Sequence, residues 1–226
     1  MFETVKKEFI GGIRKCLVVR VTGSEYTACE TAASNRWSNK KKGVWGKGII
    51  NTDEDPHKAE RVGILGEVAL SKLISVPADL EYREKGDKQD FVYKNKKIDV
   101  KTNFYLNSKQ VGYIKCALFN KNTYTATKVL FSHFDKDIFV FSFLDKEDRK
   151  NKEAVICFIG FIFRSDLCMK YIEPGHYKSN HLNFEIPYCE TREMSEFLDN
   201  LSFVSDTYGN IEESDMFSWL SNRGFL

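Results

Sequence analysis

Among the 226 residues there is no C-x-x-C pair, no marked excess of either charge and no apolar run long enough to cross a bilayer. Each absence narrows the field. The six cysteines, at 16, 29, 116, 157, 168 and 189, are scattered, and Cys157 lies inside an apolar run. That pattern points to reduced, buried thiols in an intracellular protein. A formal net charge of +2 leaves no general basic coat for nucleic acid, so any attraction to phosphate must be local. The longest apolar run, "AVICFIGFIF", is about half of what a bilayer needs. The first twenty residues, broken by charge and by Gly11-Gly12, show no signal-peptide layout. A soluble, cytoplasmic protein with no membrane partner is expected. No repeat, low-complexity block or interdomain linker is visible. "TGSEY" and "GKGII" miss the spacing of a phosphate-binding loop, and no Ser-His-Asp or Cys-His arrangement can be argued from spacing.

What is present suits a real core: 42% of residues are apolar and 14% aromatic. "DPHKAERVGILGEVALSKLISVP" carries helix signals at both ends, with Asp55 as a cap, Pro56 at the first helical position and Pro77 as a stop. Val62, Leu65, Ala69 and Leu73 recur at helical spacing and predict its core face. Gly63 and Gly66 each cost about 1 kcal/mol against Ala inside a helix and need a reason. "DIFVFSFL" and "AVICFIGFIF" are too apolar to be half-solvated and read as sheet strands covered on both faces. Residues 110–134 are ambiguous between helix and strand, with 129–134 read as extended. "CETREMSEFLDNLSFV" predicts a late helix. The order of elements fits an α/β (α+β) sandwich with a mixed central sheet flanked by helices. Residues 1–54 read as an N-terminal extension, 55–204 as the core and 205–226 as a docked tail.

The stretch "QDFVYKNKKIDVKTNF" reads as a hairpin turning at "KNK", yet it places Asp99 and Lys101 at strand spacing, where acids are disfavoured. Alternation puts these two on one face, with Ile98, Val100 and Thr102 on the other. If the turn spans an even number of residues, with Lys94 opposite Lys97, Asp90 falls opposite Lys101 and all three polar side chains share a face. Asp99 is then diagonal to Asp90, about 7–8 Å away between backbones. An odd-length turn would bring Asp87 to that face instead, farther along. Two carboxylates so placed can reach one divalent cation. The same residues can also be read as a solvated strand face whose Asp and Lys pair across the ladder.

Asp90 followed by Asp99-Val100-Lys101 resembles the D…(D/E)-x-K signature of the PD-(D/E)XK nuclease superfamily, with its restriction-endonuclease-like core. Gln89 stands where the family name has proline. The preceding helix "GILGEVALSKL" looks like the family's first core helix, which places Glu67 where that family often has an extra acid. "GFIFRSDL…NFEIPY" is similar to the end of phage and bacterial nucleases of this type. The resemblance covers about residues 55–190. It implies a metal-dependent DNA endonuclease, a phosphodiester hydrolase whose Asp90, Asp99 and Glu67 hold Mg²⁺ or Mn²⁺ beside Lys101. A two-fold dimer would suit double-strand cutting, and RNA in place of DNA stays open. The alternative is a nucleic-acid-binding or host-interaction protein that keeps the fold without cutting.

The run "NRWSNKKKGVWGKG" offers Arg36, Lys40, Lys41, Lys42 and Lys47 to a phosphate backbone, with Trp37 or Trp45 stacking on bases. It reads equally as a solvated loop with one tryptophan in the core. "TDEDPH" gathers Asp53, Asp55 and His57, but its place at a helix start explains the acids by capping and dipole.

Overall fold

The two most apolar segments lie at the centre of the main sheet. The computed structural model describes residues 3–42, 57–81, 90–105, 109–120, 125–129, 136–167, 171–174, 181–200, 218 and 221–222. In it β7 (Ile138–Asp148) and β8 (Glu153–Phe163) pair antiparallel. β2 (Gly12–Thr22) joins β8, and β1 (Glu3–Phe9) closes that edge. On the other side β4 (Lys96–Asn103) runs parallel to β7, and β3 (Phe91–Tyr93) forms the far edge. The six-stranded order is β1-β2-β8-β7-β4-β3, a mixed sheet. A second, antiparallel sheet has the order β6 (Thr125–Val129), β5 (Val111–Asn120), β10 (His181–Pro187) and β9 (Ile172–Pro174). The protein is therefore α+β with a mixed central sheet, as its sequence pattern predicts.

Side-chain alternation sends the two faces of the main sheet into two cores. Ile98, Val100, Ile138, Val140, Ala154, Ile156 and Phe158 pack with α1 (Gly23–Lys42) and α2 (Lys58–Ile74). Phe139, Phe141, Phe143, Val155, Cys157 and Ile159 pack with Ile114, Phe184 and Ile186 of the second sheet. Among the described residues, helices flank one face only, and a sheet covers the other. The thiols of Cys16, Cys29 and Cys157 are buried, which pushes them up to about 11, 12 and 12 and keeps them protonated. Among the described residues no helix is long and apolar enough to cross a membrane.

The N-terminal region is part of this architecture. Residues 3–22 supply two of the six strands, and α1 packs on α2 beneath them. Helix α1 escapes the sequence pattern because its buried positions, Tyr26, Cys29, Ala32 and Ala33, are mostly small. Their spacing is helical, but they carry little hydrophobic contrast. The late helix starts later than its sequence suggests: α3 (Met194–Asn200) follows a 3₁₀ turn at Tyr188–Glu190, and residues 201–204 lie outside the described residues. Arg14 donates to the carbonyls of Tyr188, Cys189 and Thr191 at 2.8, 2.7 and 2.5 Å, which draws those acceptors out of any α-helical ladder. Of residues 111–134, the described parts form β5 and β6, while 130–135 and nearly all of the tail lie outside the described residues.

Two contacts fix where α2 meets β4. Arg61, 2% exposed, pairs with Glu147 of β7 at 2.7 Å, and Tyr26 of α1 donates to the same carboxylate at 2.8 Å. One turn farther along, a Cβ on Gly66 would sit 1.8 Å from Thr102 Oγ1, which is itself hydrogen-bonded to Ser142 Oγ at 2.9 Å. Gly66 therefore lets the helix touch the strand, and Glu67 follows it directly. Gly63 has no such role: nothing among the described residues lies within 4 Å of a Cβ there. Gly66→Ala is expected to lose about 1–3 kcal/mol through overpacking. Gly63→Ala should be neutral or gain up to about 1 kcal/mol from helix propensity. Urea unfolding of the two variants checks this, and equal effects would show that the close approach does not govern the helix position.

Candidate active site

The acid–lysine cluster is positioned by a hairpin turn of two residues, Lys94 and Asn95, both at left-handed φ (48° and 60°). Tyr93 faces Lys96, Val92 faces Lys97 and Phe91 faces Ile98, and Asp90 comes directly before the first of these pairs. This register is offset by two from the one in which Lys94 faces Lys97 and Asp90 faces Lys101. The turn has two residues in both registers, but it sits one residue earlier, at Lys94-Asn95 instead of Asn95-Lys96. An offset of two leaves the face of every side chain unchanged, because strands repeat every second residue. The Asp90 N–H donates to the Ile98 carbonyl at 3.1 Å, and the Val100 N–H donates to Asp90 Oδ2 at 2.6 Å. Asp90 is thereby tied to β4 by both its backbone and its carboxylate. At the strand's start, Lys97 N–H donates to Asp137 Oδ2 at 2.7 Å, which joins β4 to the segment entering β7.

Asp99 and Lys101 lie on the face of β4 opposite Ile98 and Val100, and their side chains meet. The Lys101 ammonium is 2.5 Å from Asp99 Oδ2, with side-chain exposures of 33% and 14%. The approach is an ion pair rather than an aligned hydrogen bond, for Asp99 Oδ2 is shut off from solvent and has no hydrogen-bond partner among the described residues. Glu67 of α2 acts on Asp90 and Lys101 through its charge. Its two oxygens receive the Arg36 guanidinium at 3.3 and 3.4 Å, and Arg36 also donates to the Asp79 carbonyl at 3.2 Å.

The electrostatics follow from crowding three acids. Desolvation, then the charge of Asp99, then that of Glu67 push the Asp90 carboxyl up to about 8; the Val100 N–H and Lys101 pull the other way without offsetting them. For Lys101, desolvation favours loss of its proton, yet Asp99, Asp90 and Glu67 together outweigh it and raise the pKa. Lys101 is thus an ammonium and not a base. Among the described residues, with Asp90 protonated, two carboxylates face two cations and these charges balance. Ionising Asp90 adds a negative charge to that balance.

That added charge is the chemical test of whether the residues suit a cation. Asp90 and Asp99 supply hard carboxylate oxygens, of which Asp99 Oδ2 is held by the Lys101 ammonium and Asp90 Oδ2 by the Val100 N–H. Such donors suit Mg²⁺ or Mn²⁺, which need only one or two carboxylates beside water and phosphate. Among the described residues, however, no three His, Cys, Asp or Glu side chains are grouped for metal binding. Glu67 shares the field of Asp90 and Lys101 but is engaged by Arg36.

Of the basic residues singled out in the sequence, only Arg36 is seen at this cluster. Lys40, Lys41 and Lys42 form the end of α1, their side chains lying outside the described residues, as does Lys47 entirely. Asp87, Trp45, Asp53 and Asp55 also lie outside them. Trp37 sits edge-on to the His57 ring, with centroids 5.7 Å apart. The pairing of Arg36 with Glu67 was not readable from the chain, since it depends on α1 being a helix. Comparison with protein-family models, with curated proteins and with solved structures found no match for this chain.

Proposed function

We propose that this protein is a divalent-metal-dependent nuclease of the PD-(D/E)XK kind, a phosphodiester hydrolase acting on DNA as an endonuclease. The observation that carries the reading is the contact of Lys101 with Asp99 in β4, with the Asp90 carboxyl bound to the Val100 N–H of the same strand and within the field of Asp99 and Glu67. Phosphodiester hydrolysis requires a water oxygen to bond to phosphorus while the ester P–O bond breaks and the departing oxygen takes a proton. A divalent cation would supply a water that ionises near neutral pH and a counter-charge for the phosphate. Asp90 and Asp99 are the residues to hold it. Lys101, kept charged by three carboxylates, stabilises the charge that builds on the phosphate oxygens. Glu67 is a third oxygen donor once it lets go of Arg36.

A second reading, a protein that binds nucleic acid without cutting, is favoured by the internal charge balance of the cluster: Lys101 on Asp99, Arg36 on Glu67. Incubation with supercoiled plasmid separates the two. Mg²⁺-dependent nicked or linear product, abolished by EDTA, is expected, and gradual loss from linear ends would indicate an exonuclease. A parallel RNA substrate sorts DNA from RNA. Plasmid, linear duplex, single strands and RNA all left intact in both Mg²⁺ and Mn²⁺ would overturn the nuclease reading.

A further inference from the structure

Arg36 enters the cluster from a different helix than Glu67, and the contact between them is loose. Well-made N⁺–H···O⁻ bonds run about 2.7–2.9 Å, whereas Arg36 lies 3.3 and 3.4 Å from the two Glu67 oxygens. The pair is nonetheless shielded, with side chains 15% and 13% exposed, so its charges are little screened. A guanidinium forks onto two oxygens of a phosphate as readily as onto a carboxylate. Arg36 also donates to the Asp79 carbonyl at 3.2 Å, in the segment after α2, which anchors it beside the site.

Resting on the nuclease reading above, we propose that Arg36 is a phosphate-binding residue of this centre which Glu67 holds in reserve. A backbone phosphate of the nucleic acid takes the guanidinium, and the carboxylate left behind turns to the divalent cation. Every charge stays paired through the exchange: Arg36 passes from carboxylate to phosphate, and Glu67 from guanidinium to metal. Phosphate and cation therefore strengthen each other's binding, reciprocally. In the absence of substrate Arg36 keeps the third acid engaged, which agrees with the lack of a three-acid group among the described residues.

The test uses the full chain carrying Lys101→Ala, to prevent cleavage, with Mn²⁺ and a short DNA duplex as probes. In this parent the duplex should raise Mn²⁺ affinity, measured by calorimetry, about 5- to 20-fold. Arg36→Gln should bind Mn²⁺ more tightly than the parent without DNA and gain less than about 2-fold from the duplex. Its slope of log affinity for the duplex against log salt, with Mn²⁺ present, should fall by about 0.9, one phosphate contact. Glu67→Gln has the opposite signature: it loosens the hold on Arg36 and should bind duplex several-fold more tightly without metal. That variant carries the test if thermal melting shows Arg36→Gln to be unfolded. Unchanged Mn²⁺ affinity, duplex gain and salt slope in Arg36→Gln, or unchanged metal-free duplex binding in Glu67→Gln, would make the pair a bridge between helices and overturn the proposal. If Mn²⁺ binding is absent, or is indifferent to Asp99→Ala, the nuclease reading itself fails and the proposal with it.

Discussion

Lys101→Ala is expected to reduce Mg²⁺-dependent cleavage by about 10²–10³-fold, the loss typical of removing one group aimed at developing charge. It should not weaken metal binding. Lys101 presents a positive charge 2.5 Å from an Asp99 oxygen, so it opposes a second cation there. Without it, the carboxylates attract a divalent ion at least as strongly. Asp99→Ala removes a donor and should lose both cleavage and calorimetric binding. Neither variant should unfold the protein, because the core contacts of β4 come from Ile98 and Val100 on its other face. The split between a dead enzyme that binds metal and a dead enzyme that does not is what assigns the roles. Undiminished cleavage by both purified variants would remove the site.

Asp90→Asn should make the metal-free protein insensitive to pH where the parent is not. The Asp90 carboxyl is raised from its ordinary 3.8 to about 8 by desolvation and by the charges of Asp99 and Glu67. Between these two values the folded protein holds a proton that the unfolded chain has lost. Stability from this group is therefore fully present below about pH 4, declines as pH rises toward 8 and is flat above. Asn keeps the acceptor that the Val100 N–H needs but cannot ionise, so the decline should vanish. In metal-free buffer at pH 9 the variant should melt several degrees above the parent, with little difference at pH 4. The same proton must leave when a cation binds to Asp90 and Asp99. Mg²⁺ affinity of the parent should therefore climb as pH rises toward 8 and then level off, with the enthalpy depending on the buffer's ionisation heat. A melting difference independent of pH, together with buffer-independent enthalpy, would show that Asp90 is ionised throughout.

The fold was legible where hydrophobic contrast was strong. Val62, Leu65, Ala69 and Leu73 mark α2, and the Val-, Ile- and Phe-rich runs mark β7 and β8, because burial on one or both faces demands those residues in that rhythm. It was illegible where burial relies on small residues, as at Ala32 and Ala33 of α1, and where a strand's pairing lies far along the chain, as for β2 against β8. Asp99 and Lys101 were legible as a shared face of β4. The hairpin register was not, since a two-residue turn at Lys94-Asn95 differs from one at Asn95-Lys96 only in which residues take left-handed torsions, and composition does not fix that for lysine.

By itself, then, the chain determined that Asp99 and Lys101 would share one face of β4, because the period of a strand is two. Only the tertiary structure decided which charges face each other. The distance from Arg36 to Glu67 depends on the packing of α1 on α2, and the placing of Glu67 depends on Gly66 allowing the helix onto Thr102. Coulomb forces act through space. A local pattern can nominate charged residues, but only packing sets the separations that give them their protonation and their partners.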